Sequence, residues 1–282
     1  MKGERGYISI MAIWISTILI VMASGLVLFV QFNQRGIKNY TNRIKAYYIA
    51  KAGMNDVTFY VHRNQSNRKQ LCTEAGLLEV STSYQAVQFG GGTYSVVIQD
   101  EKSRANLNTA SENLLKGIMN LLKIDDSDKK ARAIIKWRQE NGYFLNIEEL
   151  GLINDLDVND CFTLMPYFTI YSTGLPGSCS LNVNTASRIV LQAHFDDFRA
   201  PARLTDQVMS RRPFMGEDVW SFIKKRAPSL SDVMVKYFTY SAPLHRIRVT
   251  AAAGTSNVVL NSVVEQWAEN HEIINVKDWW EE

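Results

Sequence analysis

The chain has 282 residues, of which 46% are hydrophobic, and this length is enough for about two domains. Its formal net charge of +3 is too small to indicate binding to nucleic acid or to an anionic lipid surface. The three cysteines form no CxxC pair, and no histidine stands near them at zinc spacing, so the sequence gives no sign of a zinc site.

The first predicted element is a long apolar segment. A polar leader, residues 1–6, is followed by Tyr7–Val30, which contains no charged side chain. About 20 apolar residues span the hydrocarbon core of a bilayer, so this segment predicts a membrane-spanning helix. A cleaved signal peptide, an uncleaved anchor and a prepilin-like precursor cut between Gly6 and Tyr7 compete as interpretations. The apolar run is longer than the roughly 7–15 residues of a signal peptide, which disfavours the first.

Positive charge lies on both sides of this segment. Lys2 and Arg5 precede it, but a larger group of basic residues follows it: Arg35, Lys38, Arg43 and Lys45. The positive-inside rule would therefore favour a cytoplasmic location for the rest of the chain.

Helical periodicity continues after the apolar run. Small and apolar residues recur at intervals of three and four, which predicts a single apolar stripe: Ala46, Ile49, Ala50 and Gly53. We expect one helix over residues 7–62, half in lipid and half packed on a domain. Because small side chains let neighbouring backbones approach closely, partner helices are expected along this stripe.

The remaining elements follow the order strand, helices, strands. A glycine-rich turn at 90–92 precedes a strand rich in β-branched residues, Thr93–Gln99. Alternating apolar and polar residues, typical of strands, return from Arg246 toward the C-terminus. Between them the sequence is mostly helical, with predicted helices at 114–122, 129–138, 147–150, 187–194 and 218–225. This order predicts an α+β protein in which a helical domain is inserted into a β domain. The expected division is leader 1–6, helix 7–62, β domain 63–105 and 241–282, and inserted helical domain 106–240.

A short internal near-repeat marks two similar strand-to-helix junctions. The segment Asn106–Ser111 returns as Asn182–Ser187, with Asn-x-Asn-Thr-Ala-Ser in both. Thr109 is a good N-cap and Glu112 would complete a capping box, whereas Arg188 stands at the corresponding place in the second copy. We interpret both as helix starts without chemistry.

In this order of features the chain resembles the K-type minor pseudopilins of bacterial type II secretion systems, the general secretion pathway protein K family. The resemblance covers most of the chain and rests on several short matches: the glycine-ended basic leader, Ala46–Met54, Asp100-Glu101 before Asn106, the second Asn-x-Asn-Thr-Ala junction, Phe144–Leu150, and Val276–Glu281 near the C-terminus.

The resemblance implies an inner-membrane anchor, a periplasmic pilin-like domain carrying a large α-helical insertion, and a position at the tip of a pseudopilus that exports proteins. It also implies cleavage and methylation at Gly6–Tyr7 by a prepilin peptidase, and other minor pseudopilins as partners. Met11 stands at the fifth mature position, where major pilins carry a glutamate. A carboxylate without a partner in lipid is costly, so a methionine at this position fits a subunit that has no other subunit above it.

Cofactors are not expected. Family members have an acidic, calcium-associated loop after a helix that ends in tryptophan, but here Trp137 is followed by a short segment poor in carboxylates. An EF-hand-like start at Asp155, Asp157 and Asn159 lacks the later glycine and glutamate, so we predict no metal site. A disulfide between Cys161 and Cys179 would suit an oxidising compartment, and buried free thiols fit equally well.

Two other functions compete. An enzyme is disfavoured because no hydrolase or metalloprotease motif occurs and the four histidines are scattered. A type IV pilus or competence-related protein with a DNA-binding helix-hairpin-helix-like domain is the alternative. Its candidate turn, Ile153–Asp157, is acidic and lacks glycine, so it would repel phosphate, and we expect no nucleic acid partner.

Overall fold

A computed structural model describes residues 4–63, 86–172, 180–214, 216, 218–230, 234–240, 244–266 and 274–282. Its α-helices, in chain order, are α1 (Glu4–Arg63), α2 (Glu112–Leu121), α3 (Ser127–Asn141), α4 (Val158–Leu164), α5 (Arg188–Asp197), α6 (Leu204–Arg211), α7 (Asp218–Arg226) and α8 (Met234–Tyr237). Its strands are β1 (Val87–Phe89), β2 (Gly92–Asp100), β3 (Ala105–Asn106), β4 (Phe168–Thr169), β5 (Leu181–Asn182), β6 (Phe238–Thr239), β7 (Leu244–Ala253), β8 (Ser256–Gln266) and β9 (Ile274–Glu281). Short 3₁₀ helices occupy Glu101–Ser103, Ile147–Leu152, Met165–Tyr167 and Pro228–Leu230.

Five strands form one antiparallel sheet in the order β1-β2-β7-β8-β9. The predicted strand at 93–99 and the strands after Arg246 therefore share one sheet, as expected. Two-residue turns join β1 to β2 at Gly90-Gly91 and β7 to β8 at Gly254-Thr255. Gly90, Gly91 and Gly254 have positive φ angles, which these tight hairpins require and which glycine adopts without strain. The glycine-rich segment is thus a turn, as predicted.

The second half of α1 packs across one face of this sheet. Its buried side chains form a hydrophobic core with alternate residues of the three central strands β2, β7 and β8: Tyr94, Val96, Ile98, Ile247, Val249, Ala251, Val258 and Leu260. Gly53 lies directly against the Tyr94 ring, and a Cβ at this position would stand 2.6 Å from a ring carbon. Small residues on the helix thus let it approach the sheet closely.

A separate, mostly helical part lies between β2 and β7 in the chain and has its own hydrophobic core. Two parallel two-residue pairings, β3 with β4 and β5 with β6, each join the start and the end of one half of it. These strands, together with helices α4, α6 and α8, are absent from the prediction. The fold is α+β with a long N-terminal apolar helix, as the sequence predicts, and the division at residues 105/106 and 240/241 stays a prediction.

The helix caps differ from those predicted. Ser111, not Thr109, is the N-cap of α2, and its Oγ accepts the Leu114 N–H at 2.9 Å. Ser187 caps α5 in the same way by accepting the Val190 N–H at 3.3 Å. Serine and threonine are both good caps, and the backbone turn at each Asn-x-Asn places the serine at the helix start. Asn146 does start its predicted helical turn, with a capping box to Glu149.

Candidate functional site

The first half of α1 stands free of the rest of the protein. Within the described residues, α1 contains the one segment that is long and apolar enough to cross a membrane, with a mean hydropathy of 2.5 and none of it buried. Met11 is 60% exposed in this segment. Gly6 and Tyr7 lie inside the helix, which begins at Glu4, so the proposed cleavage point is helical before processing.

The small-residue stripe of α1 does not face solvent. Ala46, Ile49 and Ala50 are buried against the protein's own sheet, and Gly53 lies against Tyr94. The prediction that partner helices pack along this stripe is therefore wrong. Periodicity identified the apolar face correctly, but the sheet of the same chain covers it.

A second apolar stripe runs along the opposite face of the same helix. Ile37, Ile44, Tyr48 and Phe59 are exposed, and they are separated by seven, four and eleven residues, close to whole numbers of helical turns. They therefore lie on one side of α1, about 180° from the face that the sheet covers. The sequence analysis missed this stripe because polar residues such as Lys51 and Asn55 interrupt it.

Two adjacent carboxylates join the sheet to the helical part. Asp100 ends β2, and its Oδ2 accepts hydrogen bonds from the Thr185 hydroxyl at 2.6 Å and from Asn182 Nδ2 at 2.7 Å. Its Oδ1 accepts the Lys102 N–H at 2.8 Å. Burial raises the pKa of the Asp100 carboxyl to about 6, although these hydrogen bonds oppose the shift.

Glu101 has no exposed surface and contacts a different part of the helical region. Its carboxylate accepts hydrogen bonds from Arg246 Nε at 2.5 Å and from the Thr169 hydroxyl at 2.5 Å. Arg104 Nη1 lies 3.5 Å from Oε1 of the same carboxylate. The Arg246 guanidinium also lies over the rings of Tyr171 and Trp280. Through Thr169 and through Asn182 and Thr185, the two carboxylates therefore link both halves of the helical part to the end of β2.

The near-repeat in the sequence is a repeat in the structure. Asn106 Oδ1 accepts the Asn108 N–H at 2.9 Å, and Asn182 Oδ1 accepts the Asn184 N–H at 3.0 Å. The second asparagine of each pair then makes two hydrogen bonds with the backbone of one phenylalanine: its Oδ1 accepts the N–H, and its Nδ2 donates to the carbonyl. Asn108 does so with Phe144, through bonds of 2.7 and 3.0 Å, and Asn184 with Phe214, through bonds of 2.8 and 3.1 Å.

Other features recur in the same order. Arg138 donates to the backbone carbonyls of Leu107 and Ala110, and Arg212 donates to that of Ala186. Lys123 and Arg199, which follow the first helix of each copy, both have positive φ angles. We call residues 105–172 the first unit and residues 180–240 the second unit. They meet through α2 and α5, where a Cβ at Gly117 would stand 3.5 Å from Ala193 Cβ.

Charge distinguishes the two units. The first unit carries exposed acids in its turns at Asp125, Asp126, Asp155 and Asp157, whereas the second carries exposed bases: Arg199, Arg203, Lys224, Lys225 and Arg226. Asp155 pairs with Lys129 at 2.6 Å, and Asp157 caps α4 by accepting the Asp160 N–H at 2.7 Å. Among the described residues no three His, Cys, Asp or Glu side chains are grouped to hold a metal ion. The prediction of no metal site stays a prediction.

The histidines do not form a catalytic arrangement in the part of the chain that the structure describes. His194 is buried in the second unit, where its Nδ1 lies 2.8 Å from the Val190 carbonyl, and burial lowers its pKa to about 4. A cleft of about 280 Å³ lies beside it between the two units. His271 lies outside the described residues. So does Cys179, so its pairing with Cys161, which is buried, stays a prediction.

Comparisons with known proteins agree with this geometry. Residues 100–169, which include the first unit, match a family described as helix-hairpin-helix motif. One chain of the crystal structure of the GspK-GspI-GspJ complex from the enterotoxigenic Escherichia coli Type 2 Secretion System is similar to this protein, with a TM-score of 0.52 and 12% sequence identity. The match covers 82% of this chain and 99% of that one, so the fold is shared over most of both. A comparison with curated protein sequences finds no match.

Proposed function

We propose that this chain is a minor pseudopilin-like subunit of a type II secretion apparatus, anchored in the inner membrane by α1 with its globular part in the periplasm. The observation that carries the proposal is the exposed apolar surface of α1. One continuous helix has an apolar half that none of the described residues covers, and a second half that exposes an apolar stripe on the face away from the sheet. Lipid would cover the first half and helices of partner subunits the second.

The shared fold supports this proposal, because the similar chain belongs to the GspK-GspI-GspJ complex of a Type 2 Secretion System. We propose that this chain likewise assembles with other minor pseudopilins. Met11 in place of a helix glutamate would leave no carboxylate for a subunit above it, which fits a tip position. The same comparison supports a structural role rather than an enzymatic one.

A DNA-binding role is the alternative, since the first unit matches a helix-hairpin-helix family. Such hairpins bind phosphate through backbone N–H groups at a helix start. In the first unit the corresponding turns carry Asp125, Asp126, Asp155 and Asp157, whose negative charge opposes phosphate. The matched segment therefore favours a protein-only assembly.

Co-isolation with the other pilin-like subunits of the same cell tests the proposal. We expect Ile44→Lys to abolish co-isolation because it places a charge in the exposed stripe of α1. Leu121→Lys is the matched control: Ile44 is 39% exposed and Leu121 is 40% exposed, but Leu121 lies on α2. Equal co-isolation of both variants would contradict assembly through α1.

Ala50→Trp would not test the partner interface. Ala50 is completely buried between helix and sheet, so an indole there overpacks the core and destabilises the protein itself. Loss of assembly in Ala50→Trp would therefore report misfolding and not a partner interface.

A further inference from the structure

Among the described residues of the helical part, the exposed large apolar side chains lie in the first unit. They are Leu121, Tyr143, Leu145, Leu152, Val158 and Phe162. Four of them, Leu145, Leu152, Val158 and Phe162, are between 67% and 83% exposed. Leu152 ends the 3₁₀ helix Ile147–Leu152, Val158 and Phe162 lie on α4, which packs against that 3₁₀ helix, and Leu145 lies just before it. We call these four the 145–162 surface. Val158 and Phe162 are one helical turn apart on α4 and so project side by side.

One position of the 145–162 surface can be compared directly with the second unit. The same number of residues separates Phe144 from Phe168 as separates Phe214 from Phe238, which places Leu152 opposite Phe222. The Phe222 ring packs 5.2 Å from that of Phe214, and the Arg226 guanidinium lies over it at 3.7 Å. At this position the first unit therefore exposes an apolar side chain where the second unit covers one.

Charge on the same stretch also differs between the units. The 145–162 surface is flanked by exposed carboxylates at Glu148, Asp155 and Asp157, and the equivalent positions of the second unit hold Asp218, Lys225 and Ala227. Within the described residues, Asp155 pairs with Lys129 and no ion pair is recorded for Glu148 or Asp157. The surface thus offers apolar contact with net negative charge, which repels anionic lipid and nucleic acid and attracts cationic side chains.

We propose that the 145–162 surface is the docking site of a partner protein segment that presents apolar side chains flanked by lysine or arginine. The aromatic side chain of Phe162 supplies the kind of anchor that dominates interface energies. The carboxylates then select basic partners and accelerate their approach. This inference concerns a surface far along the chain from α1, so it does not depend on how α1 assembles.

Photo-crosslinking in intact membranes tests the proposal with the full chain. A photoreactive phenylalanine replaces Phe162 in one variant, and in the control it replaces Gln207, an exposed residue of the second unit. The crosslinked segment is then sequenced by mass spectrometry. We expect Phe162, but not Gln207, to crosslink to one protein segment that has apolar residues beside lysine or arginine.

Charge reversal provides the second arm. Glu148→Lys with Asp155→Lys in the photoreactive chain should lower the yield at Phe162 about tenfold, because a loss of about 1.4 kcal/mol changes an equilibrium constant tenfold. Both residues are exposed and neither caps a helix, and an unchanged near-ultraviolet circular dichroism spectrum confirms that the variant folds. The proposal is overturned by crosslinks to lipid, to nucleic acid or to a second copy of this chain. It is equally overturned by a yield that matches Gln207 or by one that charge reversal leaves unchanged.

Discussion

Glu101 and Arg246 form an ion pair between the carboxylate that begins the helical part and the guanidinium of β7, with Nε 2.5 Å from Oε1. The carboxylate is completely buried, whereas Arg246 keeps some exposure. Removing one partner of a buried pair leaves a charge without compensation, which is far more costly than losing a surface pair. This pair should therefore govern how firmly the sheet holds the helical part.

We expect Arg246→Met to lower the free energy of unfolding by about 3 kcal/mol, because the buried Glu101 keeps only Arg104 as a cation. The control is Arg248→Met, two residues along the same strand. Arg248 pairs with Glu282 at 2.6 Å, and both side chains are about half exposed. This ion pair should therefore contribute less than about 1 kcal/mol. Urea unfolding in detergent micelles measures both. Equal losses would show that burial of Glu101 does not matter.

Asp100 and His194 should give the protein opposite pH dependences in the same range. Burial raises the pKa of Asp100 to about 6, so its folded form binds a proton more readily than the unfolded chain does, and stability falls as the pH rises from about 4 to 6. Burial lowers the pKa of His194 to about 4, so stability falls as the pH drops from about 6.5 to 4. Each shift of about two pKa units corresponds to about 3 kcal/mol.

The two effects largely cancel in the natural chain, and single variants should separate them. With Asp100→Asn only the histidine effect remains, and the protein should become less stable toward pH 4. With His194→Gln only the carboxyl effect remains, and stability should decrease toward pH 6.5. Urea midpoints measured from pH 4 to 7 test this, and slopes of the same sign in both variants would refute the assignment.

The repeated asparagines should differ in their importance. Asn184 is buried and makes three side-chain hydrogen bonds to backbone groups of Phe214 and Tyr240, whereas Asn108 is half-buried and makes two with Phe144. Losing a hydrogen bond to a buried group costs about 1–3 kcal/mol. We therefore expect Asn184→Ala to reduce stability more than Asn108→Ala, by at least about 1 kcal/mol in urea unfolding. The reverse order would mean that the first unit, not the second, limits stability.

Gly53 and Gly36 offer a paired test of the contact between helix and sheet. An added Cβ at Gly53 would stand 2.6 Å from the Tyr94 ring, which is held by a hydrogen bond from its hydroxyl to Asp56. Gly53→Ala should therefore destabilise the protein by about 1–3 kcal/mol. Gly36 has nothing within 4 Å of such an atom, so Gly36→Ala should be neutral or stabilise by up to about 1 kcal/mol. Thermal unfolding followed by near-ultraviolet circular dichroism distinguishes them.

Processing gives a direct test of the pilin-like assignment. In cells that contain prepilin peptidase, the mature protein should begin with an N-methylated Tyr7, as measured by mass spectrometry of the intact N-terminus. Gly6→Leu should block the cut, because the proposed cleavage point directly follows that glycine. A mature chain that still begins with Met1, or one that begins at Ser24, would exclude this assignment.

Periodicity located most of the elements, because long apolar patterns reflect burial directly. The apolar run of α1, the strand at 93–99 and the glycine turns all follow from it. What periodicity does not encode is the identity of the covering surface. Ala46 and Ala50 lie on the correct face of α1, but their neighbour is the protein's own sheet.

Other features were too short or too distributed to read from the sequence. A two-residue strand such as β3 or β6 has no period, and its pairing depends on a segment far along the chain. The importance of Asp100 and Glu101 was equally hidden, since their partners come from both units and from β7. The available signal was two adjacent acids at a strand end. They are among the residues that carry the family resemblance, which assigns them no role.

The chain leaves the sheet and returns to it at one place. Asp100 and His245 are direct cross-strand neighbours on β2 and β7, and opposed residues of antiparallel strands have Cα atoms about 4.5–5.5 Å apart. A two-residue Asn-Gly turn spans such a gap, so residues 101–244 are replaceable by a tight hairpin without moving either strand. We expect the sheet and α1 to fold without the helical part, and we expect the same junction to accept an unrelated domain in its place.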